Sequence, residues 1–295
     1  MSVGAVPVES RAAVAAATAG DLRREFFSTL VRQKTFAVGA VILGFWILAA
    51  IFGSLVFQDP LAQNLSAINR GPSGAHLFGT DQLGRDVLAR VIDGSRSILI
   101  TAPLATLIGT VLGTAVGLVM GYFRGIVDDI LGRFVEAFLA LPLVVTGIIG
   151  IVALGASNST LIIVIGIVFT PLIARTVRAA VLVERDLDYV AAARLRGEGS
   201  RYIMFVEILP NVLGPIMVEF TVRLGYAVFT IVTLSFLGFG LQPPTPNWGS
   251  DISTNVAEVT AGGWWEVLFA ALAVASLVIG VNMIANSIES AVDAS

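Results

Sequence analysis

Three groups of residues in this chain have types and spacings that can do chemistry. The first lies in the segment 186–210, DLDYVAAARLRGEGSRYIMFVEILP, a polar island between two long apolar stretches. A charge at the centre of a membrane-spanning helix costs about 2.5–3.5 kcal/mol, so Arg194, Arg196, Glu198 and Arg201 together place the island in water. Asp188 is the expected N-cap of a helix over 189–196 that begins with Tyr189, and Gly197 or Gly199 can take the left-handed turn that ends it. Ser200 can then start a second short helix. Ala191, Ala192 and Ala193 strip the first helix of bulk, so another chain can come close to it. The chemistry predicted here is docking.

The second group is Glu219 and Arg223, four residues apart inside an apolar stretch. At that spacing they share a helix face and can neutralise each other. Ionisable groups in a bilayer are expensive and therefore functional suspects. Either the two line a water-filled pathway and offer charges to a zwitterionic substrate, or they form an internally paired strut facing another subunit. The third group is Asp81, Arg85 and Asp86. These can pair with one another and fix a loop that receives another protein, or belong to a solvated turn with a capped helix over 85–92.

No catalytic residues stand out. A phosphate-cradling loop needs a glycine-rich turn before Lys and Ser or Thr, whereas the single lysine, Lys34, follows Val31, Arg32 and Gln33. Neither H-E-x-x-H nor G-x-S-x-G occurs. Cysteine is absent and His76 is the one histidine, so thiolate and multi-histidine metal sites are excluded and no metal is expected; His76 reads as a loop bystander. Any work must enter from a partner pressing on the island, or from an ion gradient.

The elements that hold these groups are set by composition. Of 295 residues, 56% are apolar and 13% charged, against roughly 25% charged in a soluble domain, and mean hydropathy is +0.88. An all-α, polytopic membrane protein in a lipid bilayer follows. The net charge of -3 argues against a nucleic-acid partner. Residues 1–34 read as a cytoplasmic tail, Ala-rich and disordered at first, with an amphipathic surface helix over 21–34. The first transmembrane helix is expected over 35–58 and is retained rather than cleaved, an extracytoplasmic loop over 59–97, and a core domain with five further helices over 98–291. Within the second span, over 98–120, Gly109, Gly113 and Gly117, followed by Gly121, recur every fourth residue, a strip suited to close helix packing in lipid. The third span is expected over 134–154 and the fourth from Leu161 past Arg175 and Arg178 into water; Pro142 and Pro171 are candidate kinks. The fifth runs over 211–238 and the sixth over 267–288, with Trp264 and Trp265 as interface anchors.

Basic residues set the orientation. Arg11, Arg23, Arg24, Arg32 and Lys34 in the tail, Arg124 and Arg133 in the second connection, and Arg175, Arg178, Arg185, Arg194, Arg196 and Arg201 around the island fall on one side. Against them stand Arg70, Arg85, Arg90 and Arg96 in one loop. The bias puts both termini and the island in the cytoplasm.

The spacing Ala192-Ala193, three residues, Gly197, then Leu209-Pro210 resembles the EAA loop of ABC importer permeases, which seats in a groove of the ATPase subunit. Ala191 stands where that family usually has Glu, and Glu207 where the peptide-importing branch often has His. Phe78-Gly79-Thr80-Asp81, Leu83-Gly84-Arg85-Asp86 and Gly94-Ser95-Arg96 resemble the outer loop of dipeptide and oligopeptide permeases. So do Leu234 to Gly240, Pro243-Pro244 and Asn247-Trp248-Gly249. The resemblance implies a type I importer transmembrane domain with six helices in a prokaryotic inner or plasma membrane, beside a second homologous permease. It further implies two ATP-binding subunits that hold ATP and Mg, an extracytoplasmic substrate-binding protein and a peptide substrate; cargo such as nickel or glutathione stays open. On this chain the coupling residues would be Asp188, Tyr189, Ala192, Ala193, Arg194, Arg196 and Gly197, with the substrate pathway at Glu219 and Arg223. An ion-driven secondary transporter is the rival from another class, and a scaffold for a membrane complex a third.

Overall fold

The computed structural model describes residues 30–293; most of the expected amphipathic surface helix lies outside them. The long helices are α1 (Lys34–Val56), α2 (Val87–Phe123), α5 (Asn158–Glu184), α7 (Leu213–Phe236) and α9 (Trp265–Asp293). Among the described residues five helices are thus long and apolar enough to cross a membrane. A bent pair, α3 (Gly125–Leu139) and α4 (Leu143–Leu154), meets at 92° and would make a sixth crossing if it is one span. The short helices α6 (Asp188–Leu195) and α8 (Trp248–Asn255) complete the set.

Two expectations about these elements are corrected. Pro142 does not bend a continuous third helix; it ends one and caps the next, because proline lacks the N–H that would carry the ladder on. Pro171, by contrast, sits inside α5 without a break. The second correction concerns α2, which starts at Val87 rather than Ile98. Asp86 accepts from the Ala89 backbone N–H as N-cap, so helix formation begins one turn before Arg90 and continues unbroken into the apolar run. At 37 residues it is about 55 Å long, well beyond a hydrocarbon core of about 30 Å. Its charges, Arg90, Asp93 and Arg96, all lie in the first turns, so that end stands outside the hydrocarbon.

The glycine strip does what its spacing predicts. A Cβ at Gly113 would lie 2.7 Å from Ile173 Cβ and 2.9 Å from the Thr170 carbonyl oxygen, and one at Gly117 2.7 Å from the Ala174 carbonyl oxygen. Backbone thus packs on backbone between α2 and α5, the contact around which the other helices gather.

The end of the bundle where α2 begins is a tightly keyed cap. Trp248 is fully buried, donates from Nε1 to the Val91 carbonyl at 2.7 Å, and meets Trp46 edge-on. Gly94 leaves it room, since a Cβ there would lie 2.9 Å from the indole. Trp265 donates to the Thr80 carbonyl at 3.1 Å and is buried, so it is a core residue rather than an interface anchor; Trp264 is exposed. Phe78 stacks on Phe269. Asp81 is 1% exposed and pairs with Arg85 at 2.6 Å, while Arg90 bonds Asp251. Burial pushes the Asp251 carboxyl up, and the Arg90 guanidinium pulls against it. The ion pairs and the capped helix therefore coexist, and neither is solvated. His76 is no bystander: its Nδ1 lies 2.8 Å from Asp86 Oδ2 and so holds the residue that caps α2.

Candidate coupling site and membrane charges

The island folds as a short helix pinned by its own inner face. Val190 and Ala193 are fully buried, while Ala191, Ala192 and Leu195 on the other side are exposed. Asp188, Ala191, Ala192 and Leu195 fall at i, i+3, i+4 and i+7, which makes one stripe along α6. Ala193 is thus removed from the expected docking set, its small side chain being used for packing inside the chain. Leu195, 90% exposed, lies on the open stripe instead. Sequence reasoning passed over it because a lone leucine in a polar segment carries no signal until the helix is docked and its two faces are assigned.

Asp188 is not the N-cap. Leu187 takes the extended cap conformation, and Asp188 is the first helical residue, where its charge faces the positive end of the helix dipole. The other end is as expected. Gly197 has φ +80°, the Glu198 N–H reaches the Ala193 carbonyl at 3.2 Å, and the Gly197 N–H reaches Arg194 at 3.0 Å. That pair of bonds is a Schellman motif, which requires a left-handed residue at Gly197. Gly199 is extended and takes no part; Ser200 begins the next turn. From there the chain passes through a π-helical stretch, Ile203–Ile208, into the turn Leu209–Asn211 that precedes α7.

Tyr189 ties these pieces together. Its hydroxyl donates to Glu184 Oε1 at 2.7 Å on α5 and accepts from Asn211 Nδ2 at 3.2 Å. Burial and the neighbouring Glu184 carboxylate push the phenol up to about 12. Arg196 pairs with Glu207 at 2.9 Å, so the glutamate beside the turn into α7 anchors the end of α6. Arg194 folds back, its guanidinium 5.7 Å from the Tyr122 ring at the end of α2. Arg185 bonds the Tyr122 carbonyl, and Arg124 reaches Asp186 at 2.6 Å, holding that carboxyl below the usual carboxylate range. Through these bonds the island is bound to the ends of α2, α5 and α7. A push on α6 is therefore delivered to three long helices together.

Glu219 and Arg223 meet as the spacing predicts, Nε to Oε1 at 2.6 Å, with Glu219 9% exposed. The Arg223 guanidinium also sits 5.4 Å from the Tyr226 ring. The two are a satisfied pair on α7 that shares no hydrogen bond with the island. Among the described residues no group of three or more His, Cys, Asp or Glu is arranged to hold a metal ion.

A short helix with one exposed stripe thus lies at one end of long apolar helices, and a keyed cap at the other. Residues 113–295 match the family model described as binding-protein-dependent transport system inner membrane component. The chain belongs to that family. It is accordingly a multi-pass inner-membrane permease component of a transport system that works with a binding protein. Among its relatives, the dipeptide transport system permease protein DppC of Escherichia coli (strain K12) is 38% identical over 278 residues, covering 92% of each chain. The protein of the same name from Alkalihalophilus pseudofirmus is 35% identical, with 92% of this chain and 89% of the relative covered. A putative peptide transport system permease protein of Brucella suis is 34% identical over 266 residues. In this family member the matched region contains the island, α5, α7 and α9, while the relatives' coverage takes in the keyed cap as well.

Proposed function

We propose that the chain is the transmembrane permease subunit of an ATP-driven importer of di- or oligopeptides. The observation that carries the coupling role is α6: one buried stripe, one exposed stripe ending in Leu195, and hydrogen bonds and ion pairs that tie it and its flanking turns to the ends of α2 and α5 and to the turn into α7. The names of the relatives at 34–38% identity support the peptide cargo. Membership of a binding-protein-dependent family decides against the ion-gradient reading.

In this reading the chain crosses the bilayer six times, the bent pair α3–α4 being one crossing, with both ends and the island in the cytoplasm. It stands beside a second, homologous permease chain. Two ATPase subunits bind ATP and Mg and clasp the stripe of Asp188, Ala191, Ala192 and Leu195; a substrate-binding protein docks on the outer cap. Closure of the ATPases on ATP favours one packing of the helices over another, because the stripe makes different contacts in the two states. The lever moves α2, α5 and α7 as a set, and the pathway changes side. Glu219 and Arg223, paired with each other, act as a strut.

The test is reconstitution of the complete importer in vesicles. ATP with the loaded binding protein and no ion gradient should drive accumulation of a labelled dipeptide, and a gradient without ATP should not. Uptake that follows a gradient in the absence of ATP would refute the proposal.

A further inference from the structure

The cytoplasmic half of the helix bundle holds an open cavity of about 740 Å³ lined by the face of α3 and by α5, with Met120 of α2 at its back. Its size falls in the range of small-ligand sites. Six of its lining residues are charged: Asp128, Asp129, Arg133 and Glu136 on α3, Arg175 and Arg178 on α5. Asp128 and Arg178 form a two-pronged pair, Nε and Nη2 each 2.5 Å from a carboxylate oxygen. Asp129, Arg133, Glu136 and Arg175 are different. Among the described residues none of the four has an ion pair or a side-chain hydrogen bond.

Depth makes that lack of partners informative. Arg175 lies seventeen residues past Asn158, where α5 and its uncharged run begin, and at 1.5 Å per residue this is about 26 Å. That brings it to the edge of a hydrocarbon core of about 30 Å, where α5 passes into water. Unpaired charges at such depth face water, protein or ligand, not lipid. This set has two cations and two anions, Asp129 and Glu136 also acting on Arg178 through space, so it suits neither a simple anion nor a simple cation. Beside it Met120, Val135, Leu139 and Ala140 give the cavity an apolar wall.

We infer that this cavity is a binding station for short, unblocked zwitterionic peptides on their way out of the pathway. Arg133 and Arg175 receive the terminal carboxylate, Asp129 and Glu136 the ammonium group, and the apolar wall accepts the side chains. The Asp128–Arg178 pair fixes α3 against α5 and so shapes the site without touching cargo. The assignment rests on the importer reading above and adds the residues that meet the substrate.

The chain lacks cysteine, so Ala140→Cys supplies a single thiol on this subunit at the cavity wall. In the complete importer reconstituted in vesicles, its labelling by a charged thiol reagent is followed with and without turnover of a dipeptide. Cargo should slow labelling severalfold, and the slowing should vanish in Ala140→Cys with Arg175→Gln. Dipeptide uptake per assembled complex should fall about tenfold to a hundredfold in Arg175→Gln, the loss expected for one charge-assisted bond. Absence of ATP-driven dipeptide uptake by the unsubstituted complex would refute the importer reading itself. Normal uptake with labelling that ignores the peptide would refute the cavity assignment alone. So would labelling blocked in the assembled complex without peptide, since a partner chain would then fill the site.

Discussion

Truncating Leu195 to alanine separates docking from folding more sharply than any other change on the island. The side chain is 90% exposed in the isolated chain, so its loss should alter this subunit's stability by less than about 0.5 kcal/mol. Seated in a partner's groove, the same side chain contributes about 0.8 kcal/mol for each buried methylene. Removing its three terminal carbons therefore weakens docking by about 2 kcal/mol, or thirtyfold. The measurement is a titration of the ATPase subunits against detergent-solubilised permease complex, read as bound subunit and as stimulated ATP hydrolysis, with thermal unfolding of the permease run in parallel. The half-saturating concentration should rise about thirtyfold while the melting temperature stays put. An unchanged half-saturation would refute the assignment of the exposed stripe to the ATPase. A melting temperature lowered by several degrees would mean that Leu195 holds its own chain together instead.

Other outcomes follow from single contacts. Gly197→Val forces a β-branched residue to φ +80° at about 1–2 kcal/mol or more, which unwinds the end of α6; stimulated ATPase activity should be lost while the protein still reaches the membrane by fractionation. Gly113→Ala drives a methyl to 2.7 Å from Ile173 Cβ, and overpacking of about 1–3 kcal/mol should lower the unfolding temperature in detergent. Because Arg223 satisfies Glu219, Arg223→Met strands a buried carboxylate and should reduce assembled complex on size-exclusion chromatography; normal assembly with impaired uptake would make the pair part of the pathway. Tyr189 binds its proton more tightly when folded, so its contribution to stability is intact below pH about 10 and is lost as pH rises through about 12. Unfolding followed against alkaline pH should show that loss, and Tyr189→Phe should abolish it.

Much of this molecule can be read along one dimension. The apolar stretches follow from a bilayer that tolerates no unpaired backbone, so length and hydropathy locate most of the spans, though neither the start of α2 nor the break between α3 and α4. The glycine strip follows from helical period, and Gly197 follows from the left-handed turn that only a residue without Cβ takes freely. Glu219 and Arg223 meet because residues four apart on a helix are neighbours whatever surrounds them.

What remained hidden depends on neighbours distant in the chain. The sequence presents Ala191, Ala192 and Ala193 as equals, and the burial of Ala193 while its two predecessors stay exposed was decided by how α6 lies on the π-helical turn. Trp264 and Trp265 look alike until the Thr80 carbonyl meets one of them. Arg175 and Arg178 differ by three residues, yet Asp128 pairs with one and leaves the other open to the cavity. Local rules determine which elements form, because they act through contacts within a turn or two. The inward faces, and the charges left unpaired, are fixed by helix against helix, where the competing partners lie tens of residues away.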